Sequence, residues 1–127
     1  MEQTVTIGGR AMRMKASALI PRLYRSRFGR DLIRDMTRLS QACRKAADLP
    51  QDATEEQRQA AQLSALDLTI FENVAWLMLR HAGEPVPDSP EEWLDSIPGV
   101  LDVYEALPAV LALWGGAQAT TATPKKK

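Results

Sequence analysis

Apolar and polar positions along this chain change period once, from two to 3.6, which separates a short strand-forming start from a long helical remainder. The densest apolar run is Leu63–Leu79. At 3.6 residues per turn, Leu63, Leu66, Ile70, Val74 and Leu77 share one stripe. Phe71, Ala75 and Met78 widen it, and Leu68, Trp76 and Leu79 lie across from it. Only Asp67, Thr69, Glu72 and Asn73 leave a polar strip for water. A helix apolar on nearly every side must be covered by several neighbours, so this one is expected at the centre of a small helical domain. Thr54 and Gln57 form a capping-box pattern upstream. That pattern predicts one continuous helix from Glu55 to about Arg80, about 39 Å long at 1.5 Å per residue. Asp67 and Glu72 interrupt the apolar run, which is too short and too polar for a transmembrane span.

Before this helix, Val5 and Ile7 alternate with threonines, and Met12 and Met14 alternate with polar residues. Gly8-Gly9 between them supplies the positive φ angles of a tight turn, so a β-hairpin is expected over about residues 4–16. An isolated hairpin is marginal in water, so it must lie on the helices or on another copy of itself. Ser17 is expected to cap a first helix running to about Phe28, stopped by Gly29. A second runs from about Arg30 to Ala47, with a seam of Leu32/Ile33, Met36, Leu39, Cys43 and Ala46/Ala47. Asp31 and Asp35 suit its first turns and can each reach an arginine three residues on. Gly83–Pro87 stops the long helix. Ser89, Pro90 and Glu92 start a short helix carrying Trp93, Leu94 and Ile97. A last helix has the seam Val100, Tyr104, Leu107, Leu111 and Trp114, kinked or split at Pro108. The fold class expected is mainly α: one small domain over residues 1–114, about five helices and an N-terminal β-hairpin. Residues 115–127, beginning Gly115-Gly116, are expected to be a disordered tail.

Charge changes the picture more than composition does. The 127 residues sum to a formal net charge of zero, yet residues 1–45 carry eleven basic against three acidic side chains. Residues 46–124 carry two basic against thirteen acidic ones, and Lys125–Lys127 restore the balance. The two halves can satisfy each other internally, pair between copies as a homo-oligomer, or meet a charged partner. A single cysteine, Cys43, excludes an internal disulfide. The first fifteen residues have no apolar run of signal-peptide type, so a cytoplasmic protein is expected.

Candidate chemistry is sparse. The only histidine, His81, sits at the polar end of the long helix, where a charged surface imidazole suits the helix dipole. Cys43 repeats with the seam of the second helix and reads as a small core residue. Glu91, Glu92, Asp95, Asp102 and Glu105 cluster at helix starts, where carboxylates act as caps. No catalytic residue, metal site or cofactor is expected, and neither Gly-rich phosphate motif occurs. The sharper features concern binding. Arg22, Arg25, Arg30, Arg34 and Arg38 line the first two helices. Two short helices joined at Gly29 loosely resemble a helix-turn-helix, so a small DNA-binding regulator is the alternative reading. The acidic remainder would repel DNA, which favours an acidic protein partner or a solvated face. Trp93, Tyr104 and Trp114, all after the long helix, are candidate aromatic anchors for a partner's helix.

Four segments taken together carry a resemblance: the hairpin Val5–Arg10, then Pro21–Met36, Phe71–Met78 and Val103–Trp114. In this order they resemble the tail assembly chaperones of long-tailed bacteriophages and prophages, over about residues 4 to 114. The resemblance implies a non-enzymatic protein of the infected cell's cytoplasm, absent from the finished virion. Such chaperones bind the tape-measure protein, keep its helices from aggregating and help recruit tail-tube protein. Many exist in two lengths through a ribosomal frameshift, and the lysines Lys125–Lys127 would suit a slippery adenine tract.

Overall fold

A computed structural model of the chain describes residues 1–100 and 102–118. It is mainly helical, with an N-terminal two-stranded antiparallel sheet. The strands are β1 (Glu2–Ile7) and β2 (Arg10–Lys15). Gly8 and Gly9 join them at φ 60° and 83°, angles that favour glycine and give the turn the twist of the strands. Val5 faces Met12 across the register, and Val5, Ile7, Met12 and Met14 are all buried. The alternation thus sends one side chain in two into the core, as its period requires.

The helices follow as α1 (Ile20–Phe28), α2 (Leu32–Ala47), α3 (Glu55–Ala60), α4 (Ala65–His81), α5 (Pro90–Asp95) and α6 (Leu107–Gln118). A 3₁₀ turn, Asp102–Ala106, precedes α6. The central helix is α4. Ile70, Phe71, Val74, Ala75, Trp76, Leu77, Met78 and Leu79 are buried on it, and β2, α1, α2, α5 and α6 surround it. Each large apolar side chain so buried contributes about 1.5–3 kcal/mol relative to exposure. That far exceeds the few tenths of a kcal/mol by which helix propensities differ.

The helix expected from Glu55 to Arg80 is two helices, which raises the number of α-helices to six among the described residues. The break lies at Ser64, which begins a second capping box. Its hydroxyl accepts from the Asp67 amide at 3.1 Å, and Asp67 accepts from the Ser64 amide at 2.9 Å. Arg38 of α2 then donates to the other Asp67 oxygen at 2.8 Å. These bonds satisfy the exposed amides of a new helix start, so the interruption carries little penalty. It also reassigns side chains. Asp67, expected in water, is 4 % exposed, whereas Leu66, expected in the core, is 37 % exposed.

Other boundaries shift for equally local reasons. α1 begins after Leu19, whose side chain makes no cap, because the Ser17 hydroxyl is bonded to the Leu19 amide and to His81. α2 begins at Leu32 with Asp31 as its cap rather than at Arg30. Ala46 and Ala47 of the expected seam are exposed, and Ile33 is too. Pro108 does divide the last segment, into the 3₁₀ turn and α6. There the buried face is Val103, Ala106, Ala109, Val110, Leu113 and Trp114, and Val100 is 88 % exposed. α6 continues through Gly115-Gly116 to Gln118, where a tail was expected. The remainder of that expected tail lies outside the described residues.

Ser64 offers a test with opposite signs for the two arrangements. In one continuous helix, Ser64→Ala would add a better helix former and stabilise slightly. With Ser64 as a cap, Ser64→Ala is expected to lower stability by about 1 kcal/mol. The shift of the urea midpoint reads the difference.

Candidate partner-binding surface

The corner between α1 and α2 turns on Gly29, whose φ of 69° lets the chain reverse while its amide bonds to the Arg25 carbonyl. Asp31 then caps α2, accepting from the amides of Ile33 at 2.9 Å and Arg34 at 3.3 Å. Inside the corner, Asp35 is 2 % exposed. It accepts the Tyr24 hydroxyl at 2.8 Å and a two-pronged contact from Arg30, at 2.7 and 2.9 Å. The Arg30 guanidinium, helped by Tyr24, holds the Asp35 carboxyl below the usual carboxylate range despite burial. Burial and the adjacent Asp35 push the Tyr24 phenol well up. Tyr24, Arg30 and Asp35 therefore lock α1 against the start of α2.

This separates the five arginines of the expected row. Arg30 is held by Asp35, not free, and Asp35 pairs with it rather than with Arg38 three residues on. Arg38 is held by Asp67, with a further contact to Ser64. Burial pushes the Asp67 carboxyl up, but the Ser64 amide and hydroxyl and Arg38 together bring it below its ordinary value. Arg22, Arg25 and Arg34 are exposed, and among the described residues their side chains make no ion pair. Arg27, between them, lies over the Trp76 ring at 5.0 Å and donates to the Asp88 carbonyl at 2.8 Å.

At the starts of α1 and α2, next to Arg25, the surface is concave and largely apolar. A hollow of about 250 Å³ lies at the base of the hairpin, lined by Ala16, Ser17, Ile20, Pro21, Ile33 and Trp114. A second, of about 340 Å³, shares Pro21 and Ile33 with it and is otherwise lined by Arg25, Gly29, Arg30, Asp31 and Leu32. Ile33 is 54 % exposed and Leu19, next to the first hollow in the chain, 46 %. Large aliphatic side chains left this open beside a hollow mark a surface that gains by being covered.

Of the three expected aromatic anchors, only Trp114 reaches this place. Its ring is mostly buried and its edge lines the first hollow. Trp93 is 2 % exposed and lies under the hairpin beside Ile7 and Met12, so it is a core residue rather than an open anchor. Tyr104 packs on Phe71 with ring centroids 5.5 Å apart and donates to Glu72 at 2.8 Å. Burial and that carboxylate push its phenol up to about 12. Sequence reasoning missed Leu19, Pro21 and Ile33. The signal for Ile33 was present: Leu32, Met36, Leu39 and Cys43 already fill one helical stripe, and a residue adjacent to Leu32 points about 100° away from it.

His81 is not a charged surface residue. It is half-buried, and its Nε2 lies 2.9 Å from the Ser17 hydroxyl that lines the first hollow. Burial, then Lys15 and the chain's amino terminus, lower its pKa from the ordinary 6.5. Half-buried Cys43 packs against the core, and burial pushes its thiol up.

No protein family, curated protein or solved structure matches this chain. The chemistry of the surface is its own: an apolar floor, a rim of cations, and a frame of buried carboxylates. Among the described residues, no group of three or more His, Cys, Asp or Glu is placed to hold a metal ion. No helix among them is long and apolar enough to cross a membrane.

Two expected outcomes follow from the frame. Asp35→Ala leaves the Tyr24 hydroxyl without its charged acceptor, and should cost about 2–3 kcal/mol in urea unfolding. Arg34→Ala, on the open rim, should stay within about 0.5 kcal/mol. His81 sets a pH dependence. With its folded pKa lowered, the unfolded chain takes up the proton first as pH falls below 6.5, so stability is greatest above that value and declines beneath it. Comparing unfolding at pH 7.5 with about pH 5.5 reads this decline, and His81→Gln should flatten it.

Proposed function

We propose that this protein is a tail assembly chaperone of a long-tailed bacteriophage or prophage. In this reading it is not an enzyme. It works in the cytoplasm of the infected cell, binds helices of the tape-measure protein, helps recruit tail-tube subunits, and does not enter the virion. The observation that supports it is the open apolar groove at the hairpin base, where exposed Ile33 and the Trp114 ring line one hollow and exposed Leu19 follows its lining residue Ala18 in the chain. A holding protein must offer apolar surface to amphipathic helices while its own charges keep it soluble. The biological setting of this proposal comes from the resemblance read in the sequence over about residues 4 to 114. Duplex DNA is a weaker occupant, because Arg30 and Arg38 of the arginine row are already neutralised by Asp35 and Asp67.

Co-expression with the tape-measure protein of a long-tailed phage tests the reading. The wild-type chain is expected to shift the tape-measure protein into the soluble fraction and co-purify with it. Leu19→Ser with Ile33→Gln removes the exposed aliphatic groups without altering charge, at a helix-cap position and on the outer face of α2. That pair should lose at least tenfold in binding, consistent with two anchors worth about 1 kcal/mol or more each. A tape-measure protein that stays insoluble with the wild-type chain, or binds both forms equally, would overturn the proposal.

A further inference from the structure

We infer that the groove takes an amphipathic helix with carboxylates flanking its apolar stripe, so that the partner is an acidic helical segment. This rests on the chaperone reading and narrows it to one chemistry. The floor decides the helix. Two adjoining hollows share Pro21 and Ile33 as a common ridge. Side chains from successive turns of a helix, about 5.4 Å apart along its axis, can enter such neighbours together. An extended strand presents same-face side chains about 6.8 Å apart and needs a free sheet edge for its backbone, and the groove is walled by α1, α2 and α6 instead.

The rim decides the charge. α1 contains no Asp or Glu, and Arg22 and Arg25 on it make no ion pair among the described residues. Arg34 on α2 is equally uncommitted. The two carboxylates at the start of α2 are already employed: Asp31, on the lining of the second hollow, caps α2, and Asp35 is closed over by Tyr24 and Arg30. A basic or neutral helix settling on this floor would leave Arg25, which lines the second hollow, partly desolvated and unpaired, with Arg22 and Arg34 one residue along from Pro21 and Ile33 adding like charge, which discriminates against it. A helix carrying Glu beside its apolar stripe pairs with them. Nucleic acid meets the charges but has no aliphatic side chains for the floor.

Two helical peptides of about five turns test this, with Leu at heptad a and d positions and the flanks all Glu in one and all Lys in the other. Against the full chain, the Glu peptide should bind about tenfold or more tighter, and raising the salt should shrink that preference. The variant Arg22→Glu, Arg25→Glu, Arg34→Glu should invert the preference, and Arg22→Gln, Arg25→Gln, Arg34→Gln should erase it. Circular dichroism confirms that each variant folds. Equal binding of both peptides, preference for the Lys peptide, or no binding of the Glu peptide overturns the inference. So does displacement of the Glu peptide by duplex DNA at physiological salt. If the tape-measure protein is still solubilised on co-expression while the peptides show no charge preference, the acidic occupant fails and the chaperone reading stands. The reverse pattern retains the acidic occupant and removes the tape-measure assignment.

Discussion

A helix that is apolar on every side forces the rest of the chain to surround it, and α4 is that helix. The hairpin covers it with Met12 and Met14, α1 and α2 with Ile20, Tyr24, Leu32, Met36 and Leu39, and α6 with Val110 and Leu113. Its most demanding residue is Trp76, which needs both an apolar bed and a partner for its indole N–H. The Pro87 carbonyl accepts that N–H at 2.9 Å, while Arg27 and Arg80 lie within 5.4 Å of the ring centroid. The loop after α4 is thereby tied back to α1, and the acidic third of the chain is drawn against the basic first third. The opposed charges of the two halves are partly spent against each other, through Arg13 with Glu84 and Arg38 with Asp67.

Apolar covering leaves the helices free to rotate and slide, and two buried carboxylates remove that freedom. Asp35 joins α2 to α1, and Asp67 joins α4 to α2. In both pairs the carboxylate is buried while the arginine side chain remains about half exposed, 46 % for Arg30 and 50 % for Arg38. Keeping one partner hydrated moderates the desolvation penalty that makes fully buried ion pairs expensive. The consequence reaches the surface. With α2 held by Asp35 and Asp67 on its inner side, Ile33 is turned outward and cannot be withdrawn without breaking those bonds.

The groove is thus a result of how the core is held. Ile33 stays exposed on α2 while Asp35 and Asp67 hold that helix, and Arg22, Arg25 and Arg34 make no ion pair among the described residues. The surface combines a preformed apolar floor with cations that a partner can pair. Preformed surfaces of this kind lose little conformational freedom when covered.

The sequence by itself determined the elements whose cause is local: the hairpin with its Gly-Gly turn, the stop at Gly29, the caps at Thr54 and Ser89, the division at Pro108, and the enclosure of α4. In each, the deciding contacts lie within a few residues or follow from a repeating period. Elsewhere a distant partner outweighs the local pattern, and those features follow from packing alone. Arg38, far along the chain, secures Asp67 and so allows the long apolar run to break at Ser64. His81 reaches back to Ser17 and draws it away from a helix cap, and Arg30 takes Asp35 ahead of the neighbour three residues on. The groove belongs to this second kind. Its floor joins Ala16, Ile33 and Trp114, and nothing in the spacing of those residues places them together until α4 has been covered on all sides.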